Sequence, residues 1–219
     1  QGCPSTMFET TPKIVCLART FAKHAQELGN AVLETPLFFL KSPSAVIGPG
    51  EPIRCPTDSE EVHHEAEVAV WIGRSLKEAN VKEAEAAIAG WTILNDVTAR
   101  DLQRADNGRF SRAKNFDTFC PLSTETLPNI PWRECRIQCW VDGSVRQDGN
   151  MSDLIMEPRE ILSYVSTQMT LRPGDLVSLG TPAGVGQIRP GQSVEVRLVG
   201  RSGETLLSLV NPVCSADDA

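Results

Sequence analysis

Two glutamates spaced two positions apart have the types and spacing that most directly indicate chemistry. Glu65 and Glu67 lie in the segment from His63 to Gly73, where positions 66, 68, 70 and 72 are all apolar. Because side chains alternate faces along a strand, this segment predicts one strand with both carboxylates opposite its apolar face. Two like charges so close repel each other unless water screens them or a cation joins them. A hard divalent cation such as Mg²⁺ prefers carboxylate oxygens and would join them.

The alternative interpretation is a solvated strand face, the commoner origin of such a pair. Apolar residues 70–72 argue against it, because they predict a strand that is buried on both sides at its far end, where uncompensated charges are costly. A third carboxylate, Asp96, ends an apolar run that starts at Trp91, just where a turn begins. Strand ends combine a rigid scaffold with access from a loop. Taken alone, Asp96 would be a plain turn-forming residue, but at the end of a buried strand its charge would need a partner.

Short strands must position these residues, because apolar and alternating runs of strand length recur along the chain. Further strands are predicted at residues 13–17, 37–40, 91–96, 175–180, 193–199 and 205–210, and a hairpin at 136–145 turns at Asp142-Gly143. The segment 42–56, with four prolines and two glycines, is predicted to be loop. With few helices and no regular βαβ alternation, the fold class is a β-dominated α+β domain.

The helices are predicted from caps and apolar spacing. Asn80 with Glu83 forms a capping box for an alanine-rich helix that runs to about Ala89 and is closed by Gly90. A second long helix is expected at 157–170, with Pro158 in its first turn. A short helix is expected between residues 21 and 29, and Thr98 with Asp101 should cap a single turn.

Composition excludes several classes of function. The net charge is −7 and no lysine or arginine run supplies a basic footprint, so nucleic-acid binding is set aside. No segment approaches the roughly 20 apolar residues that cross a bilayer, and no membrane partner is expected. The seven cysteines form no C-x-x-C pair, which suits reduced thiols in a cytoplasmic protein. Residues 1–11 are expected to form an N-terminal extension, and residues 12–219 a single catalytic domain.

Several blocks of the sequence resemble the fumarylacetoacetate hydrolase superfamily, especially its short single-domain acylpyruvate hydrolase and oxaloacetate decarboxylase members. The blocks occur in the family's order and span nearly the whole chain, and they are Cys16 to Asn30, Phe38 to Ser44, Val62 to Val70, Asn95 to Gln103, Lys114 to Pro121 and Gly174 to Gly186. The sequence departs mildly from the family pattern, with Ala18 where glycine is usual and Thr20-Phe21 in place of Asn-Tyr.

The resemblance implies a fold, a metal and a partner. The fold is the mixed β-roll of the fumarylacetoacetate hydrolase C-terminal-domain type, and the assembly is usually a homodimer. Glu65, Glu67 and Asp96 would bind Mg²⁺, with Mn²⁺ as a possible substitute for the same oxygens. A lid helix near residues 20–28 would carry His24 and Glu27 as a catalytic dyad, and Lys114 would line the site. The substrate contacts of relatives fall at Arg19, Lys41, Gln103 and Thr181.

The same resemblance implies that the substrate is a small 2-oxo acid. His24 and Glu27, three positions apart on a helix, would be neighbours, and a carboxylate beside an imidazole suits it to deprotonate water. The leading expectation is hydrolysis of the C–C bond of an acylpyruvate, such as acetylpyruvate or fumarylpyruvate, to pyruvate and a carboxylic acid. The alternatives are oxaloacetate decarboxylase or tautomerase, an isomerase or hydratase of 2-oxo-dienoic acids and, least favoured, a non-enzymatic ligand-binding protein.

Overall fold

Two five-stranded sheets form the frame of the protein. The computed structural model describes residues 12–21 and 35–217. The predicted N-terminal extension, residues 22–28 of the predicted lid helix, and with them His24 and Glu27, lie outside the described residues. Strands dominate these residues, as expected for a β-dominated α+β domain. No helix among them is long and apolar enough to span a bilayer.

The first sheet carries most of the site. Its strands lie in the order β2-β1-β12-β6-β7. Only the β1–β12 pair is parallel; the other neighbours are antiparallel, so the sheet is mixed. In chain order these strands are β1 (Ile14–Ala18), β2 (Leu37–Lys41), β6 (Ala66–Ile72), β7 (Ile88–Asn95) and β12 (Leu176–Ser178).

The second sheet packs against the first. Its order is β11-β10-β14-β15-β4, and strands β10, β14 and β15 contact β6 and β7 of the first sheet. Fully buried side chains such as Val68 and Ile93 from one sheet and Ile137 and Val196 from the other belong to one apolar core. The strands are β4 (Ile53–Cys55), β10 (Arg136–Val141), β11 (Ser144–Asn150), β14 (Ser193–Val199) and β15 (Thr205–Ser215).

Short strands and helices complete the described residues. Strands β5 (Val62–His64), β8 (Thr98–Ala99) and β13 (Gly186–Gln187) form a small sheet, and β3 (Val46–Ile47) pairs with β9 (Cys120–Pro121). The helices are α1 (Val81–Ala86), α2 (Arg100–Ala105) and α3 (Pro158–Gln168). The Asn80–Glu83 capping box of α1 and Pro158 in the first turn of α3 are as predicted.

Three local predictions were wrong, two because of tertiary contacts and one because of a local hydrogen bond. Gly90 does not close α1: it lies inside β7, where a Cβ would come within 2.3 Å of Thr126 Cγ2. Thr98 does not cap α2, because its hydroxyl donates to the Asp96 carbonyl. The proline-rich segment 42–56 is not all loop, since β3 and β4 form there through pairing with distant strands.

Candidate active site

The three predicted metal ligands converge at the end of the β6–β7 pair. The predicted strand from residue 63 is broken at Glu65, which lies between β5 and β6, and Glu67 is the second residue of β6. Asp96 directly follows β7, and the pairing of Ala66 with Asn95 places it beside Glu65. The Asp96 amide donates to the Glu65 carbonyl (2.8 Å), and the Glu65 amide donates to Asn95 Oδ1 (2.9 Å).

These carboxylates lie almost out of contact with solvent. Glu65 is 5% exposed, Glu67 1% and Asp96 not at all. Burial raises the pKa of Glu67 well above its usual range, and the charges of Asp96 and Glu65 add to the effect. The hydroxyl of Ser178 on β12 donates to Glu67 Oε2 at 2.5 Å. A group with these surroundings holds a proton readily and releases it when a cation arrives.

Two lysines partly neutralise the carboxylates. Lys114 Nζ lies 2.7 Å from Glu65 Oε2 and 2.5 Å from Asp96 Oδ2. Burial opposes its charge, but Asp96 and Glu65 outweigh burial, so the pKa of Lys114 is raised. Lys41 Nζ lies 2.6 Å from Asp96 Oδ1 and donates to the carbonyls of Lys114 (2.6 Å) and Val97 (3.4 Å). Lys41 therefore holds Asp96 in place.

Arg100 is a further charged residue of the site, which sequence reasoning missed. Its guanidinium forms an ion pair with Glu65 and donates from Nη1 to Gln103 Oε1 at 2.6 Å. Both residues belong to α2, three positions apart, and neighbours at that spacing share a helix face. This spacing was the available signal, because the resemblance implies a substrate contact at Gln103 on the same helix face.

The donor set fits a hard divalent cation. Side-chain ligand atoms of Glu67, Asp96 and the buried Cys16 lie within 4.8 Å of one another, a separation that small movements around one ion can close. Glu65 is not part of this group, but Lys114 Nζ binds both Glu65 and Asp96 and so links them. Hard cations favour carboxylate oxygens over a thiol, so Glu67 and Asp96 are the members of this group that fit such an ion, with Glu65 as the third predicted ligand beside them. Burial, with Asp96 and Glu67 nearby, raises the pKa of Cys16 and keeps it a thiol.

A cavity of ≈ 480 Å³ opens beside the acidic cluster. Among the predicted site residues it is lined by Glu65, Glu67, Lys114, Arg19, Gln103 and Thr181. Asp96 and Lys41 lie behind this lining in the described residues, so the structure brings Lys41 to the site through Asp96. The cavity lining also includes Glu61, which pairs with two further lining residues, His63 and Arg104.

Arg19 enters the cavity from a tight bend after β1. Its backbone lies in the left-handed region (φ 61°), and Thr20 beside it donates from Oγ1 to the Leu179 carbonyl at 2.6 Å. Gly180 (φ 92°) makes this approach possible, since a Cβ there would lie 2.0 Å from Thr20 Oγ1. Arg19 has no hydrogen bond or ion pair with another described residue. The three other cations that line the cavity are all paired with carboxylates.

Thr181 is held by a network that reaches to the second sheet. Its hydroxyl donates to the Ala66 carbonyl (2.9 Å) and accepts from Gln147 Nε2 (2.7 Å). Gln147 Oε1 in turn lies 2.9 Å from His64 Nδ1. Burial lowers the pKa of His64 to about 4, so its imidazole is neutral at physiological pH. The network links the residues that flank Glu65 and Glu67 to the cavity wall.

Comparison with known proteins gives one family. Residues 13–214 match the family described as fumarylacetoacetate (FAA) hydrolase C-terminal. A mitochondrial oxaloacetate decarboxylase of Dictyostelium discoideum is 37% identical over 204 residues, which are 88% of this chain and 91% of that protein. A mitochondrial oxaloacetate tautomerase of Arabidopsis thaliana is 39% identical over 202 residues, 90% of either chain.

A solved structure has the same fold. The fumarylpyruvate hydrolase from Pseudomonas aeruginosa, in complex with Mn²⁺ and pyruvate, superposes with a TM-score of 0.84 at 30% identity. The match covers 94% of this chain and 90% of the hydrolase. Similar proteins thus include a decarboxylase, a tautomerase and a hydrolase on a common scaffold.

Proposed function

Since the chain belongs to the fumarylacetoacetate hydrolase C-terminal family, we propose that it is a metal-dependent hydrolase of acylpyruvates that releases pyruvate and a carboxylic acid. The observation that carries this proposal is the buried cluster at the cavity, where three carboxylates lie against two lysines and Arg100. Such a site combines ligands for a cation with charges that stabilise an enolate. Both are needed when a C–C bond next to a 2-oxo acid breaks.

The metal bound by Glu65, Glu67 and Asp96 would supply Lewis-acid stabilisation of the negative charge that forms on the substrate. Mg²⁺ is the proposed ion, and Mn²⁺ suits the same oxygens. Burial first, and then the charges of Asp96 and Glu65, raise the pKa of Glu67, and either ion would oppose these effects by favouring the ionised carboxylate.

Lys114 stabilises negative charge by remaining protonated. Burial disfavours its charge, but Asp96 and Glu65 raise its pKa, so at neutral pH it donates hydrogen bonds and does not act as a base. Its side chain lines the cavity and can reach a substrate oxygen. Lys114 therefore stabilises the enolate more than it stabilises the intact substrate.

Hydrolysis also requires an activated water, and we assign this step to His24 with Glu27. His24 accepts the proton of the attacking water, and Glu27 orients the imidazole. The oxygen of that water bonds to the acyl carbonyl carbon. The C–C bond between this carbon and the pyruvate fragment then breaks, the acyl group leaves as a carboxylic acid, and the electron pair passes to the pyruvate fragment as its enolate. Protonation of that enolate gives pyruvate.

Steady-state assays test this function. The protein is stripped with a chelator, reloaded with Mg²⁺ or Mn²⁺, and given acetylpyruvate or fumarylpyruvate while pyruvate release is followed. We expect turnover only after reloading and its loss in His24→Ala. An absence of pyruvate release with both metals and both substrates would overturn the proposal.

Oxaloacetate is the second candidate substrate, and the position of Arg19 in the cavity lining favours it. Arg19 lines the cavity, and no carboxylate of residues 12–21 or 35–217 pairs with it, so we propose that it binds a second carboxylate of the substrate. Oxaloacetate and fumarylpyruvate carry such a group, whereas acetylpyruvate does not. Loss of carbon dioxide, or tautomerisation, uses the same electron sink without an attacking water.

Variants of Arg19 separate dicarboxylic from monocarboxylic substrates. Arg19→Gln should lower kcat/KM for oxaloacetate and fumarylpyruvate about tenfold or more, because a charge-assisted hydrogen bond is lost, and should leave acetylpyruvate nearly unchanged. Arg201→Gln is the matched control, since Arg201 is exposed and pairs with Glu134, and neither residue lines the cavity. Equal losses on all three substrates would refute a distal-carboxylate role.

A further inference from the structure

Gln147 connects the two sheets at the active site. It lies on β11, at the edge of the second sheet, and is 1% exposed. Its Oε1 accepts from the Ala66 amide (3.0 Å), and its Nε2 donates to the Pro182 carbonyl (2.8 Å). A backbone amide can only donate and a carbonyl can only accept, so these two partners fix which end of the Gln147 amide is oxygen.

The fixed amide determines the direction of the neighbouring hydrogen bonds. Because Gln147 Nε2 donates, Thr181 Oγ1 must accept from it at 2.7 Å. The Thr181 hydroxyl then directs its single proton to the Ala66 carbonyl at 2.9 Å. A hydroxyl has one proton and two lone pairs, and one lone pair is left. A ligand group that reaches this oxygen from the cavity therefore has to donate a hydrogen bond.

We propose that Gln147 is a positioning residue that makes Thr181 a hydrogen-bond acceptor in the cavity, so that the site favours the enol form of a 2-oxo acid over its keto form. The inference rests on the proposed function. The enol carries a hydroxyl at C2 that can donate to Thr181, whereas the keto form offers only acceptor oxygens. A substrate carboxylate meets repulsion at the same oxygen and is directed to the cations of the cavity instead.

Ligand titrations with a matched pair of probes test this inference. Lactate and pyruvate share one carbon skeleton and differ in having a hydroxyl or a carbonyl at C2. Their dissociation constants are measured by ligand-observed NMR on the Mg²⁺-loaded protein. We expect Thr181→Val to weaken lactate binding about tenfold relative to pyruvate, since one hydrogen bond is lost. Thr181→Ser keeps the hydroxyl and should keep the wild-type ratio of the two constants.

Gln147→Met tests whether Gln147 acts through Thr181. It removes the donor that fixes the hydroxyl, and the lactate-to-pyruvate ratio should shift toward that of Thr181→Val. In the Thr181→Val background, Gln147→Met should leave the ratio unchanged even though thermal stability falls further. A purely structural role would lower stability and leave the ratio alone in both backgrounds.

The outcomes separate this inference from the proposed function. If neither probe binds the wild-type protein with Mg²⁺ present, the proposed 2-oxo acid site is refuted, and the inference with it. If both probes bind but Thr181→Val and Gln147→Met leave the ratio unchanged, the acceptor role is refuted and the 2-oxo acid site stands. A ratio that shifts in Gln147→Met but not in Thr181→Val would show that Gln147 acts through another group.

Discussion

Glu65 and Asp96 stabilise the positive charge of Lys114, because each carboxylate binds its ammonium group. We predict that Lys114→Met lowers kcat about 10² to 10³-fold, the range for removing one preorganised charge-stabilising donor. Lys114→Arg keeps the charge and should lose less. Lys82→Met, an exposed lysine on α1, is the control for a changed net charge. Equal kcat values for Lys114→Met and the wild type would exclude a catalytic role for this residue.

His64 predicts how the protein's stability responds to acid. Burial lowers its pKa to about 4 in the folded chain, from 6.5 in the unfolded chain. Between these values the unfolded chain binds a proton that the folded chain does not, so stability is full above pH 6.5 and falls toward pH 4. The slope contributed is at most about 1.4 kcal/mol per pH unit.

Urea denaturation at several pH values measures this slope, and His64→Asn is the informative variant. Asparagine can keep a donor toward Gln147 Oε1 but does not titrate, so the free energy of unfolding should depend less steeply on pH between 4 and 6.5. Burial also lowers the pKa of His63, which adds a smaller contribution of the same sign. An unchanged slope in His64→Asn would assign the effect to other groups.

At the scale of elements, the bend after β1 depends on the loop that follows β12. We predict that Gly180→Ala destabilises the fold by about 2–4 kcal/mol, from the left-handed backbone and from overpacking against Thr20. It should also raise KM for dicarboxylic substrates, because the bend carries Arg19. Gly174→Ala is a matched control with a similar φ of 89° and nothing within 4 Å of its Cβ.

Thermal denaturation and steady-state kinetics of the two glycine variants check this prediction. Gly174→Ala should cost about 1–2 kcal/mol, the cost of the left-handed backbone alone, and should leave KM unchanged. If both variants lose the same stability and neither changes KM, the contact between Gly180 and Thr20 does not position Arg19.

Strands with regular alternation were predictable from the sequence, and those formed by long-range pairing were not. Runs such as 193–199 match β14, because one buried face imposes the period. Strand β4 was missed, since Ile53 pairs with Val213 far along the chain. The break at Glu65 was missed for a similar reason, because the Glu65 amide donates to the side chain of the distant Asn95. The alternating pattern of the sequence continues across the break and does not reveal it.

The site was predictable where its residues are close in sequence. The spacing of Glu65 and Glu67 gave the acidic pair, and Asp96 followed from the end of an apolar run. Gln147 was not predictable, because it reaches Ala66 across 81 positions of sequence and from the other sheet. No spacing rule links residues that only the packing of two sheets brings together.

At the scale of the whole molecule, metal binding should be linked to proton release. Burial, Asp96 and Glu65 raise the pKa of Glu67 in the metal-free protein. Metal binding needs the ionised form, so Mg²⁺ should displace a proton below that raised pKa, and affinity should rise with pH. Calorimetric titrations in two buffers of different ionisation enthalpy count the protons. Glu67→Gln should abolish the buffer dependence; its persistence would assign the proton to another group.

The acidic cluster also bears on the order in which the protein is made and becomes active. Lys41, Lys114 and Arg100 pair with Glu65 and Asp96, and the raised pKa of Glu67 lets that carboxyl keep a proton, so the metal-free interior holds no uncompensated negative charge. Zinc fingers, by contrast, stay unfolded until their ion arrives. We expect the newly synthesised polypeptide to reach its final shape first and to take up the ion afterwards. When the metal is scarce in the cell, the folded protein would then lose activity while its amount stayed the same.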